Sequence, residues 1–151
     1  MNLGEALSLL KKEKSKLVRL ISLRKENVYF EEGKKPEFDT KKLTNDIDLE
    51  IDNIRTLKIR ILKTNLNTKI QGDSISLAEA IIKVGDIRSK LAKLSDLFER
   101  KRDWFMEKET KKNIAQISES EIEDEIEKLE IEKGILDNKL QMTNWNTKLL
   151  D

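Results

Sequence analysis

Apolar residues recur along this chain in steps of three and four, the spacing of one face of an α-helix, over four long stretches. The first runs from about Leu3 to Glu26 on Leu3, Leu7, Leu10, Leu17 and Ile21, with Ala6 and Leu20 beside them. Its period breaks only near Glu13 and Lys14. The second, Thr40 to Lys63, uses Leu43, Ile47, Ile51, Ile54, Leu57 and Ile61. The third, Leu77 to Arg102, uses Leu77, Ile81, Val84, Ile87, Leu91, Leu94 and Phe98. The fourth, Ser120 to Met142, uses Ile122, Ile126, Leu129, Leu136 and Leu140. Near-heptad seams of this kind belong to bundles and coiled coils. Start signals agree: Ser76 with Glu79 and Ser118 with Glu121 read as capping boxes, and Asn2 with Glu5 as a weaker one.

The stretches repeat. Leu3-Gly4-Glu5-Ala6-Leu7 matches Leu77-Ala78-Glu79-Ala80-Ile81, and Ser15-Lys16-Leu17 matches Ser89-Lys90-Leu91 at the same offset of 74. Thr64-Asn65-Leu66-Asn67-Thr68-Lys69 matches Thr143-Asn144-Trp145-Asn146-Thr147-Lys148 at an offset of 79. Duplication of a helical hairpin explains ordered blocks of this sort. The expected fold is all-α: an antiparallel four-helix bundle from two tandem hairpins, residues 2–70 and 76–149, in one domain over 1–151. Completion of the bundle between chains, by swapping or dimerisation, stays open. The loops at 27–39 and 103–117 carry Val28, Tyr29, Phe30 and Phe38, and Trp104, Phe105 and Met106. These are expected to pack, as a small β arm or folded over the bundle end; exposed, they would form an aromatic patch.

Composition narrows the chemistry. With 39% charged against 37% hydrophobic residues the core is lean, and only the helical periodicity separates this composition from disorder. Net charge is +1, which gives no global attraction to nucleic acid or anionic lipid. The absence of Cys excludes disulfides and thiol catalysis, and the absence of His removes the commonest general base. No apolar run approaches the roughly 18–20 residues that span a bilayer. No signal-peptide pattern opens the chain, so a cytoplasmic protein is expected.

Candidate sites follow from the remaining motifs. The Thr-Asn-x-Asn-Thr-Lys pair reads first as helix-ending caps. In an antiparallel bundle it could also gather Asn65, Asn67, Asn144, Trp145, Asn146, Glu5 and Glu79 into a polar binding surface at one end. The acidic run Glu119–Glu132 invites a metal reading, but di-iron bundles need inward Glu-x-x-His motifs, so a solvated face is expected. The basic first helix reads best as an electrostatic match for the acidic fourth. Gly85 and Gly134, each unfavourable inside a helix, suggest close helix–helix approach.

Four blocks resemble the septicolysin-like proteins, a group of small, mostly uncharacterised bacterial proteins. They are Leu3-x-Glu5-Ala6-Leu7; Thr64-Asn65; Ser76-Leu77-x-Glu79-Ala80 with Asp86 and Leu91; and Leu136-Asp137 through Gln141 to Asn144-Trp145. The resemblance implies a helical protein and, from the family's name, a cytolysin acting on membranes. The residues themselves point elsewhere: a protein of unknown molecular function, non-enzymatic, without cofactor or metal. It would act through self-association as a homo-oligomer or through an unidentified protein partner, and would not bind nucleic acid. An enzyme built on Asp, Glu, Lys or Tyr alone is the remaining alternative.

Overall fold

The structure, a computed structural model, describes residues 1–98 and 114–151. Four helices stand among these residues: α1 (Leu3–Glu26), α2 (Thr40–Asn67), α3 (Leu77–Ser95) and α4 (Glu119–Asn146). The all-α class built from two long hairpins is therefore what the chain adopts. The caps are those the sequence marks. Asn2 and Glu5, Ser76 and Glu79, and Ser118 and Glu121 each exchange a side chain for the other's backbone amide. Asp39 caps α2 by accepting from the Lys41 and Lys42 amides.

Three boundaries differ from expectation. The third helix ends at Ser95, followed by a turn over 96–98, and the rest of its expected span to Arg102 lies outside the described residues. α2 and α4 run one turn further than their apolar periods, to Asn67 and Asn146. The Thr-Asn-x-Asn segments are thus final helical turns, and no left-handed residue ends them, since among the described residues only Gly33 and Gly72 have positive φ. Polar side chains there bond back onto their own helix: Thr64 donates to the Arg60 carbonyl, Asn67 to that of Lys63 and Thr143 to that of Lys139, each sharing a carbonyl with the helical amide four residues on.

The chain forms two compact units, Met1–Thr68 with Asn144–Asp151, and Lys69–Thr143. In the first, Lys16 meets Glu50 and Arg24 meets Thr44, so rising along α1 descends α2 and the pair is antiparallel. In the second, Lys83 meets Glu132 and Lys90 meets Glu125, which makes α3 and α4 antiparallel as well. The ion pairs found for the acidic α4 on another helix go to α3, and the inter-helix pair of the basic α1 goes to α2.

The seams are stricter heptads than the apolar residues alone suggest. On α2 the buried positions are Leu43, Ile47, Glu50, Ile54, Leu57, Ile61 and Thr64, stepping four and three without a break. Ile51, expected in the seam, is 41% exposed. Leu7, Ile21 and Ile81 are likewise exposed, while Leu3, Ala6, Leu77, Ala80, Val84 and Ile87 are buried. α4 keeps its expected stripe, with Ile122, Leu136 and Leu140 buried.

Residues 27–39 form turns without a strand, so the expected β arm is absent there. The charges between 31 and 39, with Gly33 at φ +84° and Pro36, leave no alternating pattern for a strand. Val28, Tyr29 and Phe30 are exposed, Tyr29 to 90%, and do not pack as expected. Trp104, Phe105 and Met106 lie outside the described residues. Close approach does not explain Gly85 and Gly134, since a Cβ at either would meet nothing within 4 Å.

Candidate functional site

Of the seven residues expected to gather at one end, six belong to the first unit and Glu79 to the second. Glu5 and Glu79 are engaged in their capping boxes. The Ser76 amide and hydroxyl, both donating to Glu79, hold its carboxyl below the usual carboxylate range. Asn67 is turned onto its own helix. Asn65 and Asn144 are half-buried, and Asn146 is exposed. Trp145 lays its indole over Gly4: a Cβ on Gly4 would sit 2.9–3.1 Å from three ring atoms. These residues close helix ends more than they define a pocket.

What the motif does is lock an extended segment. In the first unit, residues 147–150 pair with the start of α1: Leu3 N donates to Thr147 O at 2.8 Å and Leu149 N to Met1 O at 3.2 Å. The Leu150 amide donates to Thr64 Oγ1 at 3.0 Å, and Arg60 binds Leu150 O and Asp151. The second unit repeats this. Ile70 N donates to Ile75 O at 3.0 Å, and the Gln71 amide to Thr143 Oγ1 at 3.0 Å. Each buried threonine thus donates to its own helix and accepts from a segment lying after the other unit's long helix. The motif announced itself in the sequence; its partners, 72 to 86 residues away, did not.

A charged layer with one buried carboxylate interrupts the apolar seam of the first unit. Glu50, 2% exposed, accepts from Lys16 Nζ at 2.5 Å, and Glu13 lies 3.7 Å from the same ammonium. Glu50 Oε1 is buried with no hydrogen-bond partner among the described residues. The Lys16 hydrogen bond holds the Glu50 carboxyl below the usual range, against burial, which pushes it up. The same bond raises Lys16. At the matching layer of the second unit stand Ile87 and Leu129, with Lys90 in place of Lys16. The break in the apolar period at Glu13 was the visible signal; a strict four-three heptad through Glu50 would have completed it.

Outside the seams, apolar side chains form a second row on α4. Ile131, Ile135 and Met142 are 57%, 54% and 53% exposed, and with Asn138 they step four, three, four. At 100° per residue this row lies about 160° around the helix from the α3-facing seam. A cleft of about 450 Å³ in the first unit is lined by Ile21, Arg24, Lys25, Val28 and Thr40. It brings two cations to apolar walls, with no carboxylate lining it. No group of three or more potential metal ligands occurs among the described residues, and no described helix is long and apolar enough to cross a membrane.

With seams, locks and exposed row in place, the class is that of a two-hairpin helical protein. The chain belongs to a family of unknown function (DUF6847), whose model matches residues 11–149. It is also similar to a solved structure, described as a functionally unknown conserved protein from Corynebacterium diphtheriae. That likeness has a TM-score of 0.85 at 24% identity and covers 99% of each chain, which shows the shared fold. Among curated proteins none matches. These findings overturn the resemblance to septicolysin-like proteins: family and neighbour are both of unknown function, and neither supports membrane damage. Parts of the four blocks that suggested it are capping residues and final helical turns, and the rest, such as Leu136, lie within the helices.

Proposed function

We propose that this protein is a non-enzymatic helical scaffold that self-associates in the cytoplasm, where its product is an assembly. The supporting observation is the amount of apolar surface left open. Val18, Leu49, Ile59, Leu62 and Leu66 in the first unit are exposed, as are Ile82, Ile131, Ile135 and Met142 in the second. A chain without His or Cys is also poorly equipped for acid–base or nucleophilic work near neutral pH.

Sedimentation velocity over a concentration series tests the reading. Mass rising to a defined multiple of 17.6 kDa is the expected result. A monomer from micromolar to hundreds of micromolar protein would remove self-association and leave a different protein as occupant of these faces. Fractionation of the source cell, with the protein in the cytosolic fraction, tests the location.

A further inference from the structure

α1 carries its positive charge outward. Lys11, Lys12, Lys14, Arg19 and Lys25 are exposed, and none has an ion pair among the described residues. No acid interrupts them on that face: Glu13, the one carboxylate between Lys11 and Lys25, is turned to Lys16 at the seam. The first half of α4 is the opposite. Glu123, Asp124, Glu127 and Glu130 are exposed without an ion pair among the described residues, whereas Glu125 and Glu132 are neutralised by Lys90 and Lys83. Glu123, Glu127 and Glu130 step four and three, so they share one side of the helix. Neither excess is inherited from the repeat. Lys11 and Lys12 correspond to Gly85 and Asp86 of α3, and Glu123, Asp124 and Glu130 to Thr44, Asn45 and Ile51 of α2. In the second unit Arg88 and Lys90, which correspond to Lys14 and Lys16, are paired with Asp137 and Glu125. In the first unit Lys14 has no such partner, since Lys58 of α2 stands where α4 has Asp137.

These two faces select a second copy of the chain as occupant. With a net charge of +1 the molecule as a whole has little to draw in a polyanion, yet every copy presents one basic and one acidic helix face. Opposed patches of this kind steer association and fix which surfaces meet. The spacings agree. With the two helices antiparallel and Lys11 opposite Glu130, Lys14 falls opposite Glu127, and Val18, next to Arg19, falls opposite Glu123. No position of either helix then faces a like charge: Lys16 lies opposite Glu125 and Glu13 opposite Lys128, the one base in that half of α4. Val18, 65% exposed at the middle of the basic face, adds apolar surface to it.

We infer that the outward basic face of α1 is the docking surface for the acidic first half of α4 in a second copy. This rests on the self-association proposed above and names the faces that meet. The test uses the full chain and two charge reversals. One variant carries Lys11→Glu, Lys14→Glu and Arg19→Glu; the other carries Glu123→Lys, Glu127→Lys and Glu130→Lys. All six side chains are exposed, so helical circular dichroism should be unchanged. Each reversal sets like charges at the matched positions. Each variant alone is therefore expected to stay at 17.6 kDa in sedimentation velocity at concentrations where the unmodified chain associates. Mixed in equal amounts, the two are expected to associate again, because each then meets its opposite, a recovery that misfolded variants could not give. Variants that stay apart on mixing, an assembly that neither reversal disturbs, or a loss confined to one variant would overturn this pairing while leaving self-association standing. A monomer of the unmodified chain at every concentration would overturn both, and binding of that monomer to duplex DNA would give the α1 face a nucleic acid in place of a second copy.

Discussion

Gly4 is buried beneath the Trp145 ring; the residues matched to them by the repeat are Ala78 in the second copy and Leu66 in the first. Gly4→Ala should force the indole to shift, an overpacking loss on the order of 1–3 kcal/mol, reduced by about 1 kcal/mol of gained helix propensity. In a Trp145→Leu background the same change should be close to neutral or stabilising. A thermal-melt double-mutant cycle measures that coupling, and additive effects would contradict the packing account. Glu50 is the other residue that decides something at this scale. Replacing Glu13 and Glu50 by Ile and Leu, the residues of the second copy's layer, should be neutral or stabilising, because it removes the unpaired buried oxygen of Glu50 and leaves the half-exposed Lys16 free to reach solvent. Its pH dependence has a definite sign. The folded carboxyl of Glu50 titrates below its unfolded value, so its contribution is complete above the ordinary carboxylate range and is lost as pH falls through the depressed value. Lys16 is raised, so its contribution is complete below the ordinary lysine value and disappears as pH climbs through the elevated one. Melting temperature should accordingly drop more steeply below about pH 4.5 in the unmodified chain than in the Ile/Leu variant.

Helices of this protein are specified twice, by caps and by heptads, and the two signals differed in legibility. The capping boxes at Asn2, Ser76 and Ser118 could be read directly, because four consecutive positions contain the whole interaction. The seams could be read only in outline. Choosing the apolar residue at each turn selected Ile51 over Glu50 and Leu7 over Ala6, whereas burial follows the strict four-three spacing whatever residue occupies it. Glycines inside helices were visible too, but the close approach expected of them is not found within the chain. Gly85→Ala should therefore raise stability by about 0.5–1 kcal/mol in chemical denaturation. Gly134→Ala should do the same, since a Cβ there also meets nothing within 4 Å.

Over the whole molecule, two threonines carry equivalent locks, and their loss should be equivalent. Thr64→Val strands the Leu150 amide and Thr143→Val the Gln71 amide, each at about 1–3 kcal/mol. Hydrogen exchange should localise the first loss to residues 147–151 and the second to 69–73. A uniform increase across both regions in either variant would contradict independent locks. The duplicated motif was plain in the sequence because both copies keep Thr-Asn-x-Asn-Thr-Lys; that each threonine serves a distant segment was not, because nothing local records which strand will arrive. This arrangement has a consequence for the growing polypeptide. A ribosome delivers α1 and α2 long before residues 144–151, yet those late residues pair with Met1 and Leu3 and fill the acceptor on Thr64. The first hairpin is thus left open at one end until the segment that follows α4 has been made.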